Sequence, residues 1–172
     1  MGEPYDSVLV AESARNLRAL GIFRDVRIDS VPADSGGVGM RVTTRDGWTT
    51  RVGGRLRTVG NEVAIGFSFL EDNFLGTASR AGVSFSADPV RTTFALEASQ
   101  PRFLGSTIGI GARWEARSDG TVLRGRVIRP FYSVTDARGF SITADYRDET
   151  VNQYLDGIDE PVDTLDHVMG AI

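Results

Sequence analysis

Few residues in this sequence could carry out covalent or metal-dependent chemistry. The chain has no cysteine and one histidine, His167, which excludes thiolate nucleophiles, disulfides and histidine-based metal clusters. The sequence contains neither a Gly-x-x-x-x-Gly-Lys phosphate loop nor a Gly-x-Ser-x-Gly elbow. Gly109-Ile110-Gly111 falls inside a predicted strand, so it is not a dinucleotide-binding turn. We therefore predict a protein that is not an enzyme and uses no cofactor or metal ion.

The charged residues that stand out are spaced for ion pairing. Arg113 and Glu115 alternate with apolar residues in one predicted strand, and Arg124 and Arg126 alternate with others in the next. Residues two apart project from the same face of a strand. Arg113 and Glu115 could therefore pair with Arg124 or Arg126 across neighbouring strands. These four residues are our candidates for a charged cluster on one face of a sheet.

Residues 1–46 predict a helix packed on a β-hairpin. Between Val8 and Leu20 the apolar residues recur at helical spacing, with Asp6 or Ser7 available to cap the start and Gly21 placed to end the helix. Strands are predicted from Phe23 to Val31 and from Gly37 to Thr44, joined by residues rich in turn formers. This segment is a small α+β unit.

Residues 47–150 alternate between apolar and small or polar residues with a period of two. That period is typical of antiparallel strands, and the connections are too short for crossovers, so we predict a meander of about seven strands. The non-apolar face holds mostly Gly, Ala and Ser with scattered charges. The clearest apolar rows are Val63, Ile65, Phe67 and Phe69; Val83 and Phe85; Phe94 and Leu96; Ile108, Ile110 and Trp114; Leu123 and Val127; and Phe140, Ile142 and Tyr146.

The predicted turns are of two alternating kinds. Tight, polar tips alternate with turns that carry aromatic or leucine residues before a small residue. Aromatic residues at every second turn would be exposed to water in a soluble protein, whereas at a membrane boundary they form a girdle. The predicted girdle residues are Phe74, Phe103, Phe131 and Tyr132.

Two interpretations of the alternating region compete. A soluble β-sandwich or small lipid-carrier barrel would show the same period. A membrane β-barrel better accounts for a non-apolar face made of small residues and sparse charges, which suits a crowded polar lumen. The apolar stretches also approach the roughly 9–11 residues that a tilted strand needs to cross the hydrocarbon. In this interpretation Arg113, Glu115, Arg124 and Arg126 line the lumen.

Five segments of the sequence resemble the BamA/TamA superfamily of outer-membrane assembly proteins. The segment 12–26 is similar to the second helix and following strand of a POTRA domain, and 42–49 is similar to the junction between the last POTRA strand and the barrel. The segments 70–77, 101–106 and 129–133 resemble periplasmic turns of the family's barrels. The resemblance covers roughly residues 8 to 150.

The resemblance implies a partial POTRA-like module at 1–46, followed at 47–150 by the first strands of an incomplete transmembrane β-barrel in the bacterial outer membrane. The N-terminal part would be periplasmic. Members of the family insert or secrete other β-rich proteins without a cofactor, so the implied partners are unfolded outer-membrane or secreted β-rich proteins and the lipid bilayer. The implied partner-binding residues, on a strand edge open to β-augmentation, are Phe23, Val26 and Ile28. The net charge of −4 argues against nucleic acid.

Two features depart from the family pattern. About seven strands cannot close a barrel of this type, so we expect the chain to be a fragment that is not active alone, unless several copies close a barrel together. Ala137-Arg138-Gly139-Phe140 is similar to the family's arginine-glycine-aromatic motif, but it occurs early and is interpreted as a turn. We expect residues 151–172 to form an acidic loop or a short helix. A passive outer-membrane pore or usher-like protein and a soluble β-rich binding module are the alternative functions.

Overall fold

The computed structural model of the protein describes residues 6–33, 37–133, 136–155 and 158–171; for Val59 and for residues beyond 150 it describes the backbone only. The chain divides into two compact units. The helical unit comprises residues 1–49 and 131–139, and the sheet unit comprises residues 50–130 and 140–172. Within the described residues, no helix is long and apolar enough to cross a membrane.

The helical unit contains a helix and a two-stranded antiparallel sheet, as predicted. Helix α1 spans Ser7–Ala19, strand β1 spans Phe23–Pro32 and strand β2 spans Val38–Asp46. The Asp6 carboxylate accepts hydrogen bonds from the backbone N–H groups of Val8 and Leu9, at 2.8 and 3.4 Å, and so caps the free donors of the first helical turn. Gly21 has a φ of 73°, a left-handed conformation that suits glycine and ends the helix.

The core of the helical unit lies between α1 and β1. The Val26 side chain is 0% exposed, and Ala14 on α1 is also buried. By contrast, the apolar residues of β2, such as Met40 and Val42, are exposed. The helix therefore covers β1 and leaves β2 largely uncovered.

Residues 131–139 belong to the helical unit, although the sequence pattern had assigned them to the sheet region. The Asn16 side-chain amide of α1 donates a hydrogen bond to the Tyr132 carbonyl oxygen at 2.9 Å. The Asp136 carboxylate accepts hydrogen bonds from the backbone N–H groups of Tyr132 and Ser133, at 2.7 and 3.2 Å. This segment is therefore held by polar contacts that leave no periodic signature in the sequence.

The sheet unit is one antiparallel meander in which every strand pairs with the next strand of the chain. Strands β3 to β9 correspond to the predicted meander, and β10 adds an eighth strand. A short 3-10 helix at Phe103–Gly105 lies between β6 and β7. The strands are β3 (Thr50–Val59), β4 (Glu62–Phe74), β5 (Ser79–Ala87), β6 (Thr92–Gln100), β7 (Gly109–Arg117), β8 (Gly120–Arg129), β9 (Phe140–Leu155) and β10 (Ile158–Ala171).

The register between strands separates the two faces of the sheet. Phe67 lies opposite Phe85, and Phe85 lies opposite Phe94, so the apolar residues of successive strands form continuous rows on one face. Most large side chains of this apolar face are exposed, and Phe67 is 64% exposed. On the other, polar face, Ala95 and Val122 are only 1% and 0% exposed. The burial is thus the reverse of that expected for a soluble sheet.

The space around the glycines differs between the two faces of the sheet and indicates the direction in which the sheet curves. A Cβ atom built on Gly82, on the polar face, would lie 2.5 Å from Leu70 Cδ1 and 2.9 Å from Glu97 Cγ. A Cβ atom on Gly54 or Gly125, on the apolar face, would have no atom within 4 Å. The polar face is therefore crowded and the apolar face is open, as in a sheet that curves towards its polar side.

The prediction of an acidic loop or short helix at the end of the chain differs from the described backbone. Strand β9 continues to Leu155 and β10 pairs with it from Ile158 onwards. The β9–β10 pairing is irregular between Pro161 and Thr164 and again between His167 and Gly170. Such irregularities shift the alternation of faces, which explains why the period of two is not visible there.

Glycine substitutions test the difference in crowding between the faces. We expect Gly82→Ala to lower the free energy of unfolding by about 1–3 kcal/mol, because the new methyl group forces Leu70 and Glu97 to shift. Gly125→Ala should be neutral or stabilising, because it adds a methyl group in open space and removes glycine from a strand. Urea unfolding measures the free energy of unfolding of both variants, and an equal loss of stability in the two would contradict the assigned curvature.

Candidate functional site

The four predicted charged residues all lie on the polar face of the sheet unit. Arg113 and Glu115 are on β7, and Arg124 and Arg126 are on β8, where Arg113 lies directly opposite Arg124. Two arginines facing each other repel unless carboxylates lie between or beside them. The neighbouring strands supply those carboxylates.

Glu115 is the centre of the charged cluster. Glu115 is 6% exposed. It lies directly opposite Ala95 on β6 and Val122 on β8, which are both buried. Arg113 Nε donates a hydrogen bond to Glu115 Oε1 at 2.8 Å, and Arg117 Nη2 donates one to Glu115 Oε2 at 2.6 Å. A carboxylate that is removed from water in this way requires such charge-assisted bonds.

The cluster extends over four strands. Arg113 Nη1 donates to Glu97 Oε2 on β6 at 2.6 Å, and Arg124 Nε donates to Asp145 Oδ1 on β9 at 2.7 Å. Arg124 Nη1 also lies 3.6 Å from Glu115 Oε1. We call this set the β6–β9 charge network; it consists of the arginines Arg113, Arg117, Arg124 and Arg147 and the carboxylates Glu97, Glu115, Asp145 and Glu149, with Arg117 paired to Glu149.

Three of the four predicted cluster residues belong to the network. Arg126 does not: its Nε donates to Ser141 Oγ at 3.3 Å. The sequence analysis missed Glu97 and Asp145, which the register aligns with Arg113 and Arg124 in one row. Aligning the predicted strands by the positions of the turns that join them could have placed these four residues in one row.

The network holds neighbouring strands together. Each carboxylate of the network contacts at least one arginine, and the number of arginines equals the number of carboxylates. A balanced and hydrogen-bonded set of this kind offsets the cost of removing its charges from water. Its physical role is to fix the register of β6 to β9.

A second charged group lies on the polar face near β3. Asp72 Oδ2 is 2.6 Å from Arg51 Nη2, and Asp72 Oδ1 is 2.7 Å from Arg80 Nε. Arg55 and Arg57, also on the polar face of β3, form no ion pair with any residue that the structure describes. The charge near β3 is therefore unbalanced.

Two of the predicted girdle residues, Phe74 and Phe103, lie at turns on the same end of the meander. They begin turns of the same form, Phe-Leu-Gly followed by threonine or serine. Leu75 and Leu104 have positive φ angles of 56° and 51°, and the glycine that follows each is also left-handed. In each turn the N–H after the glycine donates to the phenylalanine carbonyl, at 3.3 and 3.0 Å. The repeated sequence thus gives a repeated backbone geometry.

Phe131 and Tyr132, the other two predicted girdle residues, belong to the helical unit. Phe131 is exposed, whereas Tyr132 is half-buried and its carbonyl oxygen is bound by Asn16. The structure therefore separates the predicted girdle into two pairs, one in each unit.

The predicted partner-binding residues differ from one another in exposure. Phe23 and Ile28 are half-buried, but Val26 is fully buried and packs the core of the helical unit. Arg18 Nη2 of α1 donates a hydrogen bond to the Val26 carbonyl oxygen at 2.6 Å, so this backbone acceptor is already occupied. Any partner of β1 would contact its backbone edge and the flanking side chains instead of Val26.

Comparison with solved structures finds a similar fold in the crystal structure of BamA from Haemophilus ducreyi lacking POTRA domains 1–3, with a TM-score of 0.57 and 17% sequence identity. The chain is similar in fold to part of BamA. The match covers 82% of this chain and 29% of the BamA chain, so this chain spans less than a third of that BamA's length. No protein-family model matches the sequence, and no curated protein matches it. The predicted resemblance to the BamA/TamA superfamily is confirmed at the level of the fold.

The β6–β9 charge network generates a stability prediction. We expect Glu115→Gln to lower the free energy of unfolding by about 1–3 kcal/mol, because Arg113 and Arg117 each lose a partner in a buried setting. The control, Asp145→Asn, removes a partly exposed partner of Arg124 and should cost less than about 1 kcal/mol. Urea unfolding in detergent micelles compares them, and an equal cost would show that Glu115 is not the centre of the network.

Proposed function

We propose that this chain is part of an outer-membrane β-barrel protein of the assembly or secretion type, which inserts or translocates other β-rich proteins. The sheet unit would be a section of the barrel and the helical unit part of a periplasmic POTRA-like module. The observation that carries the proposal is the reversed burial of the sheet unit. Its apolar face is exposed while its polar face is crowded.

Water is an unfavourable surrounding for the apolar face. Burying one large apolar side chain contributes about 1.5–3 kcal/mol, and the face exposes such residues on every strand from β3 to β9. A bilayer supplies the apolar surroundings that a soluble chain would have to build from a second layer. Strands β5, β6 and β7 have 9 residues each and β8 has 10, which matches the roughly 9–11 residues of a membrane-crossing strand.

The proposal requires the sheet to continue beyond its described edges. Strand β3 lies at one edge and β10 at the other, and neither is paired on its outer side within the described residues. An unpaired backbone polar group in hydrocarbon costs several kcal/mol, so barrels in membranes are closed. We propose that further strands close the sheet.

The likeness in fold to part of BamA supports the assembly type over a passive pore. In the superfamily that the sequence resembles, members insert or secrete β-rich proteins, which are the proposed partners together with the lipid bilayer. The proposed contact in the helical unit is the edge of β1 that pairs with no strand among the described residues, with Phe23 and Ile28 beside it. No step of this function needs bond-making chemistry, and we propose no enzyme activity.

A tryptophan assay tests the membrane assignment. The chain has two tryptophans, Trp114 on the apolar face and Trp48 in the helical unit. In vesicles that contain brominated lipid, we expect quenching of Trp114 fluorescence in the Trp48→Phe variant, because bromine atoms in the acyl chains would contact Trp114 directly.

The matched control for this assay is the Trp114→Phe variant, which reports only Trp48. Trp48 is largely exposed and should be much less quenched, because a periplasmic module stays in water. A chain that folds as a soluble monomer without detergent or lipid, with no quenching of Trp114, would contradict the membrane assignment. That outcome would favour a soluble β-rich binding module.

A folding assay separates the assembly function from a passive pore. Vesicles containing the closed barrel to which this chain is proposed to contribute should fold an added urea-unfolded outer-membrane barrel protein faster than empty vesicles do, as followed by protease protection. A small fluorescent solute trapped in the same vesicles reports leakage. Leakage without faster folding would support the passive pore instead.

A further inference from the structure

Positive charge is unevenly distributed over the polar face of the sheet unit. The β6–β9 charge network is balanced, as its residues pair with one another. Near the edge strand β3, Asp72 forms ion pairs with both Arg51 and Arg80, so these three residues together carry one excess positive charge. Arg55 and Arg57 add two more positive charges, of which the nearby Glu62 offsets one. Apart from Arg126 on β8, which also forms no ion pair among the described residues, this excess lies beside β3, the one edge of the sheet whose side chains are described.

The residues of β4 directly opposite Arg55 and Arg57 are not acidic, and Glu62 of β4 forms no ion pair with either arginine. Their cross-strand neighbours on β4 are Gly66 and Ala64. Both arginines line a groove of about 640 Å³ that also contains Glu62 and the β5–β6 turn. In that turn the Asp88 carboxylate already accepts the N–H groups of residues 90 and 91. Of the described residues, none forms an ion pair with either arginine.

We propose that the strand pairing with the free edge of β3 carries carboxylates at alternate positions, opposite Arg55 and Arg57. This inference rests on the proposed function, which requires the sheet to continue past β3. Directly opposed residues of paired strands have Cβ atoms about 4.5–5.5 Å apart, within reach of an arginine–carboxylate bond. Carboxylates there would balance the polar face in the way that Glu97 and Asp145 balance Arg113 and Arg124.

The spacing favours a strand over a small anion. Arg55 and Arg57 are separated by Leu56, which is on the apolar face and is exposed. A paired strand of alternating acidic and apolar residues matches both faces at once, because its apolar residues would extend the row of Leu56. A phosphate ion would contact only the arginines.

A second copy of the chain does not fit this edge as well. If β3 paired with β3 of another copy, its closely spaced arginines would face arginines and repel. The same charges thus disfavour edge-to-edge self-association and favour an acidic partner strand.

Disulfide capture in detergent micelles tests the inference. The chain has no cysteine, so Val52→Cys places a single thiol on β3. The probes are three peptides of about ten residues, the length of one membrane-crossing strand. Each alternates valine with glutamate, glutamine or lysine and carries one central cysteine. We expect the glutamate peptide to form at least about tenfold more mixed disulfide than the lysine peptide, which corresponds to about 1.4 kcal/mol.

Two double variants serve as matched tests in the Val52→Cys background. Arg55→Gln with Arg57→Gln should bring the ratio of glutamate to lysine capture close to one. Arg41→Gln with Arg45→Gln removes the same charge from β2 in the helical unit and should keep the preference.

The outcomes separate this inference from the proposed function. Equal capture of all three peptides would overturn the acidic partner while supporting an extendable β3 edge. A glutamate preference that persists without Arg55 and Arg57 would overturn their role. Capture of no peptide would also overturn the inference, whereas the membrane assignment is judged separately by the quenching of Trp114.

Discussion

The backbone ladder between neighbouring strands is the constraint on which the sheet unit depends. Each strand from β4 to β9 is paired on both sides, so its backbone groups need no water. Once the ladder is fixed, every second side chain must go to the same face. The apolar residues are therefore gathered onto one exposed surface, and that surface determines which surroundings the protein can occupy.

The same ladder fixes the position of each charged side chain on the polar face. A slip of one residue in any pair would carry arginines and carboxylates to the apolar side, at a cost far above that of losing one hydrogen bond. The rows that join Glu97, Arg113, Arg124 and Asp145 oppose such a slip. Charge in this sheet thus contributes to the choice of register, and the crowding at Gly82 shows how little space is left around it.

The sequence predicted those features that are local and periodic. Helix α1 was predicted to within one residue at each end, because Asp6 and Gly21 mark its limits. The strands β4 to β8 and the faces of their residues followed from the period of two. The position of residues 131–139 depends on one amide, Asn16, and on the Asp136 carboxylate. The cross-strand partners of Arg113 depend on register, which only an alignment of the strands by their turns could have supplied, and β10 is irregularly paired, so its strand left no period of two.

The two Phe-Leu-Gly turns bear on how such a sheet can change in size. Consecutive strands run in opposite directions, so a single added strand would send every later turn to the opposite end of the sheet. Two added strands leave all later turns where they were. Phe74 and Phe103 begin equivalent turns one hairpin apart, with the same left-handed leucine and glycine. The hairpin is thus the smallest segment that could be duplicated or lost in evolution without reversing the direction of the remaining strands.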